Sequence, residues 1–128
     1  MIMMSSKKEE KKEGRKKVKI TVLRRFHPNE VFEKNPLTPT EEPFEKCNLV
    51  EDNQVYIVDD YYGGMPKDFG CEAAYHYIRG DVEVLALGGE FGWYKEKGKT
   101  IIPCMDGNRP VIFMLERMDE PCEEPKWD

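Results

Sequence analysis

Apolar residues between positions 70 and 89 recur at every third or fourth position, which is the period of one face of an α-helix. The residues that share this face are Cys71, Ala74, Tyr75, Ile78, Val82 and Leu85. Gly88 and Gly89 follow them, and glycine readily adopts the left-handed conformation that ends a helix. Asp68 or Gly70 is placed to cap the first turn. The pattern therefore predicts one long helix.

The other apolar segments have the period of two that is typical of β-strands. They predict strands over 17–25, 54–59, 100–104 and 111–117. Pro103 lacks an amide donor, so the third strand should lie at an edge of the sheet or be bulged there. The fourth strand is apolar on both faces and should be central. The order β-β-α-β-β predicts an α+β fold in which a small, mostly antiparallel sheet of about four strands packs on one principal helix.

A chain of 128 residues is long enough for one domain. Residues 1–16 are densely charged and have no apolar period, so we expect a disordered N-terminal tail. Residues 17–118 form the predicted α+β domain. Residues 119–128 are acidic and contain prolines, which predicts a flexible C-terminal tail.

The distribution of charge makes nucleic acid an unexpected partner. The formal net charge is −5, but residues 1–17 carry a net +4, so the rest of the chain carries −9. Nucleic-acid binding needs clustered lysine and arginine on the folded surface.

No apolar run reaches the roughly 20 residues that span a bilayer, so we expect no membrane partner. The first residues lack the apolar core of a signal peptide, and we therefore expect a cytoplasmic protein.

The cysteines carry the main chemical hypothesis. Cytoplasmic cysteines are usually thiols, metal ligands or redox groups rather than structural disulfides. Cys47 precedes the second strand, Cys71 begins the helix and Cys104 begins the hairpin turn. If they converge, they could bind zinc or iron, with His76, an aspartate or water as the fourth ligand. Reversible thiol oxidation is a second hypothesis, and small buried core residues are the structural alternative.

Two further groups are candidates for ligand binding. Asp106 and Arg109 lie in the hairpin turn, where the arginine is suited to an anion or carboxylate. Alternatively, the aspartate only bonds nearby amides and pairs with the arginine. Tyr61, Tyr62 and Trp93 lie in the loops that flank the helix and are typical of a ligand pocket or a protein-binding patch. Alternatively, these aromatic residues cover the edges of the sheet.

Three segments together resemble a family of short bacterial and archaeal proteins of unknown function. They are KVKITVLRR at 17–25, MPKDFGCEAAYHYI at 65–78 and TIIPCMDGNRPVIFMLERM at 100–118. The resemblance covers roughly residues 17–118. It places the family's cysteines on Cys47, Cys71 and Cys104, and the family's turn on Asp106, Gly107, Arg109 and Pro110. It implies the domain boundaries and the choice of cysteines, but no reaction.

Two functional hypotheses follow from the sequence. The first is a small cytoplasmic accessory protein with a cysteine-based site that binds a metal or responds to redox state. The alternative is a non-catalytic module that binds a ligand or a protein through its aromatic loops, forms a homo-oligomer and has purely structural cysteines. No activated nucleophile is paired with a base and an electrophilic stabiliser, so an enzyme is only the third hypothesis.

Overall fold

The structure is a computed structural model that describes residues 14–127. It confirms the predicted α+β fold, with one antiparallel sheet and one main helix. The elements along the chain are β1 (Lys16–Arg25), α1 (Pro28–Val31), β2 (Val55–Val58), α2 (Glu72–Ala86), β3 (Lys99–Pro103) and β4 (Val111–Pro121). The short helix α1 lies in the proline-rich connection between β1 and β2.

The sheet has the strand order β2-β1-β4-β3, and every neighbouring pair is antiparallel. Strand β4 lies in the interior of the sheet and β3 lies at one edge, so both predicted positions are confirmed. In the register, Ile20 lies opposite Tyr56 on one side and Leu115 on the other. Ile102 of the edge strand lies opposite Phe113. These pairs align the buried side chains of neighbouring strands.

Helix α2 packs on one face of the sheet and forms the core with it. The fully buried residues include Ile20, Val22, Ile78, Val82, Leu85, Phe113 and Leu115. The apolar helix face is buried as its spacing predicts, except that Cys71 is only partly buried. Phe69 joins this core through ring contacts with Tyr56, Tyr75 and Phe113 at centroid distances of 4.8, 5.8 and 5.8 Å.

The two ends of α2 differ in how well the sequence predicted them. The N-cap is Cys71, so the predicted cap at Asp68 or Gly70 is wrong. The thiol replaces the usual oxygen acceptor, because Cys71 Sγ accepts a hydrogen bond from the amide of Ala74 at 3.4 Å. At the other end the C-cap is Leu87, and Gly88 follows with a φ of +91°. The predicted left-handed glycine at the helix end is confirmed.

The ends of the domain meet along β1 and β4. Strand β4 continues to Pro121, three residues beyond the predicted boundary at 118. Cys122 is buried, and its amide donates to the carbonyl of Arg15 at 2.7 Å. Part of the segment predicted as a C-terminal tail therefore belongs to the sheet. Residues 1–13 of the predicted N-terminal tail, and Asp128, lie outside the described residues.

Arg15 ties the start of β1 to helix α2. Its guanidinium donates two hydrogen bonds to the carboxylate of Glu83, one of them from Nη1 to Oε2 at 2.8 Å. The hydrogen bonds from Arg15 outweigh partial burial and hold the pKa of Glu83 below its ordinary value. The neighbouring Tyr75 hydroxyl donates to the Gly63 carbonyl at 2.6 Å, and burial raises the pKa of Tyr75 to about 12.

Gly80, inside α2, and Gly88, just after it, both have space for a side chain and give a matched test of the helix. A Cβ added at Gly80 or at Gly88 meets no atom within 4 Å, but only Gly88 has a positive φ. We expect Gly80→Ala to raise the free energy of unfolding by about 0.5–1 kcal/mol, because glycine is costly inside a helix. Gly88→Ala should lower it by about 1–2 kcal/mol, because alanine is strained in the left-handed region. Urea unfolding measures the free energy of unfolding of both variants. Equal changes of the same sign would contradict a helix that ends at the left-handed Gly88.

The Arg15–Glu83 pair predicts a pH-dependent contribution to stability. The pKa of Glu83 is lower in the folded state than its ordinary value of 4.5. The pair therefore contributes fully above about pH 4.5 and loses its contribution as the pH falls through the lowered folded pKa. We expect Glu83→Gln to lower the free energy of unfolding by about 2 kcal/mol at pH 7 and by less near pH 3. Unfolding measured at several pH values tests this, and a cost that does not change with pH would rule it out.

Candidate functional site

Cys47, Cys71 and Cys104 line one cavity, here called the thiol cavity. Its volume is about 170 Å³. The cysteines reach it from three parts of the chain: the connection before β2, the N-cap of α2 and the residue after β3. All three are free thiols and partly buried. The other lining residues are Leu49, Val50, Ala74, Met105, Asp106, Arg109, Val111 and Phe113. The cysteine hypotheses required the three residues to converge, and the structure places all three in the lining of one cavity.

A close backbone contact brings the first two cysteines to the same place. The segment of Cys47 passes over the start of α2, where Gly70 lies directly before Cys71. A Cβ built on Gly70 would lie only 1.8 Å from the carbonyl oxygen of Leu49. Any other residue would force these two backbones apart. Gly70 is thus a positioning residue of the cavity, although the sequence suggested it only as a cap.

Arg25 also holds the Cys47 segment, a role that the sequence did not suggest. Its Nη1 donates to the carbonyl of Cys47 at 2.9 Å, and its Nε donates to Asp52 Oδ1 at 3.1 Å. Arg25 is the last residue of β1, so it links the irregular connection to the sheet. A lone arginine at the end of a strand gives no sequence signal for this role.

Two of the sulfur atoms accept hydrogen bonds from backbone amides. Cys71 Sγ accepts from Ala74, as described above, and Cys104 Sγ accepts from Val111 at 3.4 Å. The amide of Cys104 donates in turn to the Val111 carbonyl at 2.9 Å, which closes the hairpin. These contacts fix the two sulfurs on rigid elements. They also leave lone pairs of both sulfurs for chemistry inside the cavity.

The turn residues Asp106 and Arg109 lie at the wall of the thiol cavity, and they mainly bond to each other. Asp106 Oδ1 accepts from the amides of Asn108 and Arg109 at 2.9 and 3.1 Å, and Oδ2 accepts from Arg109 Nε at 3.3 Å. Burial opposes the charge on Asp106, but these hydrogen bonds outweigh it and hold its pKa below the ordinary value. Arg109 also lies over the ring of Phe44, 5.5 Å from its centroid. The geometry is that of the hairpin alternative, and anion binding by Arg109 stays a prediction.

His76 lies apart from the three cysteines. Its side chain is 68 % exposed and faces Glu72 one helical turn earlier, with Nε2 3.7 Å from Oε1. It is not among the residues that line the thiol cavity. Within residues 14–127, no group of three or more histidine, cysteine, aspartate or glutamate side chains is placed to hold a metal ion. Zinc or iron binding therefore stays a prediction.

The aromatic candidates lie in two separate places. Tyr61 and Tyr62 line a cavity between the loop after β2 and the end of β4. Trp93 is 75 % exposed and contacts Phe91 and Tyr94, with ring centroids 5.5 and 6.1 Å apart. The sequence left open whether the two loops share a pocket, and the structure separates them. A role of Trp93 in binding a protein or a second copy of the chain stays a prediction.

Comparison with protein-family models, curated proteins and solved structures found no match for this chain. The family resemblance carried by residues 17–118 therefore stays a prediction. In the described part of the chain, no helix has both the length and the apolar character needed to cross a membrane.

Gly70→Ala tests whether the close backbone contact builds the thiol cavity. The added methyl group would overlap the Leu49 carbonyl, so we expect a loss of about 3 kcal/mol in the free energy of unfolding. In the variant that remains folded, Cys47 and Cys71 should react faster with a thiol reagent, while buried Cys122 should not. Peptide mapping after timed alkylation measures each rate. Gly80→Ala is the control, and equal behaviour of the two variants would contradict the role of Gly70.

Proposed function

We propose that this chain is a small redox-responsive protein whose reactive site is the thiol cavity. One observation carries the proposal: three cysteines that are 24 and 33 residues apart in the sequence line the same small cavity. The three residues also pack against the hydrophobic core, which holds them in place. Three thiols in one cavity allow an oxidised sulfur to be captured by a neighbouring thiol.

The proposed reaction uses a peroxide as the oxidant. A cavity thiolate attacks the peroxide, so that an S–O bond forms, the O–O bond breaks and water or an alcohol leaves after protonation. A second cavity thiol then attacks the sulfenic sulfur, an S–S bond forms and the S–O bond breaks with release of water. Two thiols have lost two electrons, and the peroxide has gained them. A reducing thiol in excess reverses the change by exchange.

The dimensions and position of the cavity suit this chemistry. Its volume of about 170 Å³ admits a small peroxide, since one water molecule occupies about 30 Å³ of liquid. The three sulfur-bearing residues are partly exposed, so an oxidant has access to them. Cys71 is the preferred first nucleophile because it lies at the N-terminus of α2, where helix amides stabilise negative charge.

The same three thiols support a metal-binding function less well. A zinc site needs each donor at about 2.0–2.3 Å from one common point, and most structural sites have four donors. The described residues present no such set, and His76 lies elsewhere. Zinc or iron binding would need the sulfurs to move toward one another and a fourth donor to join them. Disulfide formation needs only two of them to meet.

Limited oxidation tests the proposal directly. Fully reduced protein is treated with a small excess of hydrogen peroxide, alkylated and mapped by mass spectrometry without reduction. We expect one intramolecular disulfide between two of Cys47, Cys71 and Cys104, with a mass loss of two hydrogen atoms. Dithiothreitol should restore the starting mass. The disulfide reflects proximity within the cavity, so it should form at a rate that does not depend on protein concentration.

Four single variants provide the controls for this experiment. Cys122→Ala removes the buried cysteine outside the thiol cavity and should leave the disulfide intact. Replacing each cavity cysteine by alanine identifies the pair, because two of the three variants should lose the original disulfide. Circular dichroism verifies that each variant is folded. Only intermolecular disulfides, or separate overoxidised cysteines, would overturn the proposal, and retention of one equivalent of zinc by reduced protein would favour the metal site instead.

A further inference from the structure

A second cavity lies where β4 ends, and its lining differs from that of the thiol cavity. Its volume is about 700 Å³, and we call it the Tyr61 cavity. Its walls are the loop of Asp59–Tyr62, the segment of Glu120–Lys126 and Lys17 of β1. It shares no lining residue with the thiol cavity. A ligand bound here would therefore be independent of the proposed thiol chemistry.

Aromatic rings stand nearly at right angles beside this cavity. Tyr61 and Tyr62 have ring centroids 5.4 Å apart and an interplanar angle of 84°. Tyr61 and Trp127 have centroids 6.1 Å apart and an angle of 74°. Tyr62 and Trp127 are 59 % and 66 % exposed, so both rings retain free surface for a ligand. Both pairs are edge-to-face contacts, and the ring faces that they leave exposed are the surfaces on which an alkylammonium group binds.

The charges that line the cavity favour a cation. They comprise five carboxylates, from Asp59, Asp60, Glu120, Glu123 and Glu124, and the two ammonium groups of Lys17 and Lys126. Lys17 pairs with Glu120 at 3.0 Å, and Glu124 accepts from Trp127 Nε1 at 3.1 Å. Asp60 Oδ2 accepts from the amides of Tyr62 and Gly64.

Two of these carboxylates remain available to a ligand. Within residues 14–127, the side chains of Asp59, Glu123 and Lys126 make no hydrogen bond and no ion pair, so the unpaired groups of the lining carry a net charge of −1. A bare metal ion is a poor match for the cavity, since no group of three or more donors among the described residues is placed to hold one. An organic cation matches both features, because aromatic faces attract its diffuse charge and the carboxylates add long-range attraction.

We propose that the Tyr61 cavity binds an organic ammonium ion with a methylated nitrogen. The juxtaposition of perpendicular rings with unpaired carboxylates defines this ligand class. The ammonium group has two plausible sources, a free small molecule or a methylated lysine side chain of another protein. Both present the same positively charged methyl groups to the rings, so the experiment must separate them.

Titration of the full chain with three probes, monitored in amide NMR spectra, tests this site. The probes are choline, its uncharged carbon analogue 3,3-dimethylbutan-1-ol and a short peptide with trimethyllysine. We expect choline to shift the amides of residues 59–62 and of the non-proline residues in 120–127, and the neutral analogue to leave them unchanged, because the attraction requires charge. A peptide that binds at least tenfold more tightly than choline identifies a protein side chain as the source. Equal affinities identify a free ammonium compound.

Matched variants distinguish the loss of a ring contact from the loss of the fold. Tyr61→Ala should weaken choline binding by roughly tenfold, and Tyr61→Phe should retain it, because the ring and not the hydroxyl makes the contact. Trp93→Ala is the control on an exposed aromatic residue away from the cavity. Spectra of the free variants verify folding. The proposal is overturned if neither cation shifts these amides at tens of millimolar, if the neutral analogue binds equally well, or if Trp93→Ala weakens binding as much as Tyr61→Ala.

Discussion

The close contact between Gly70 and the Leu49 carbonyl is the constraint on which the candidate site depends. At this point two backbones pass so near that a methyl group would lie 1.8 Å from the carbonyl oxygen. The contact presses the irregular connection before β2 against the start of helix α2. Cys47 and Cys71 consequently face one cavity, and the hairpin that follows β3 supplies Cys104.

Strand β4 organises the two cavities at its opposite ends. Val111, its first residue, lines the thiol cavity, and Pro121, its last, lines the Tyr61 cavity. At about 3.3 Å per residue, the 11-residue strand separates these two residues by roughly 30 Å. Neither cavity shares a lining residue with the other, so a change at one end need not reach the other. The protein can thus carry two chemically distinct sites on one small sheet.

The sequence predicted the features that depend on local periodicity. The helix face, the central and edge strands and the glycine that ends α2 all follow from spacing or from a single residue such as Pro103. It also selected the three cysteines that the structure brings to one cavity. Their convergence rests on long-range packing, and the sequence contains no close cysteine pair that would reveal it.

The wrong or missing predictions concern positions whose role depends on residues distant in the sequence. Cys71 caps the helix instead of Asp68 or Gly70, because Gly70 is committed to the Leu49 contact and the thiol takes the role of acceptor. Strand β4 extends past 118 because the segment near Cys122 pairs with Arg15, which directly precedes β1. Arg25 acquires its role only through the fold, since its partners Cys47 and Asp52 are more than 20 residues away.

A redox titration of the cavity thiols tests whether two of them form a reversible disulfide. The full chain is equilibrated in glutathione buffers that span reducing to oxidising potentials, and the thiol state of each cysteine is read by alkylation and mass spectrometry. We expect a single two-electron transition, within about −200 to −300 mV, that involves two of the three cavity cysteines and persists in Cys122→Ala. Cavity thiols that stay reduced across the whole range, or that oxidise one by one without pairing, would contradict it.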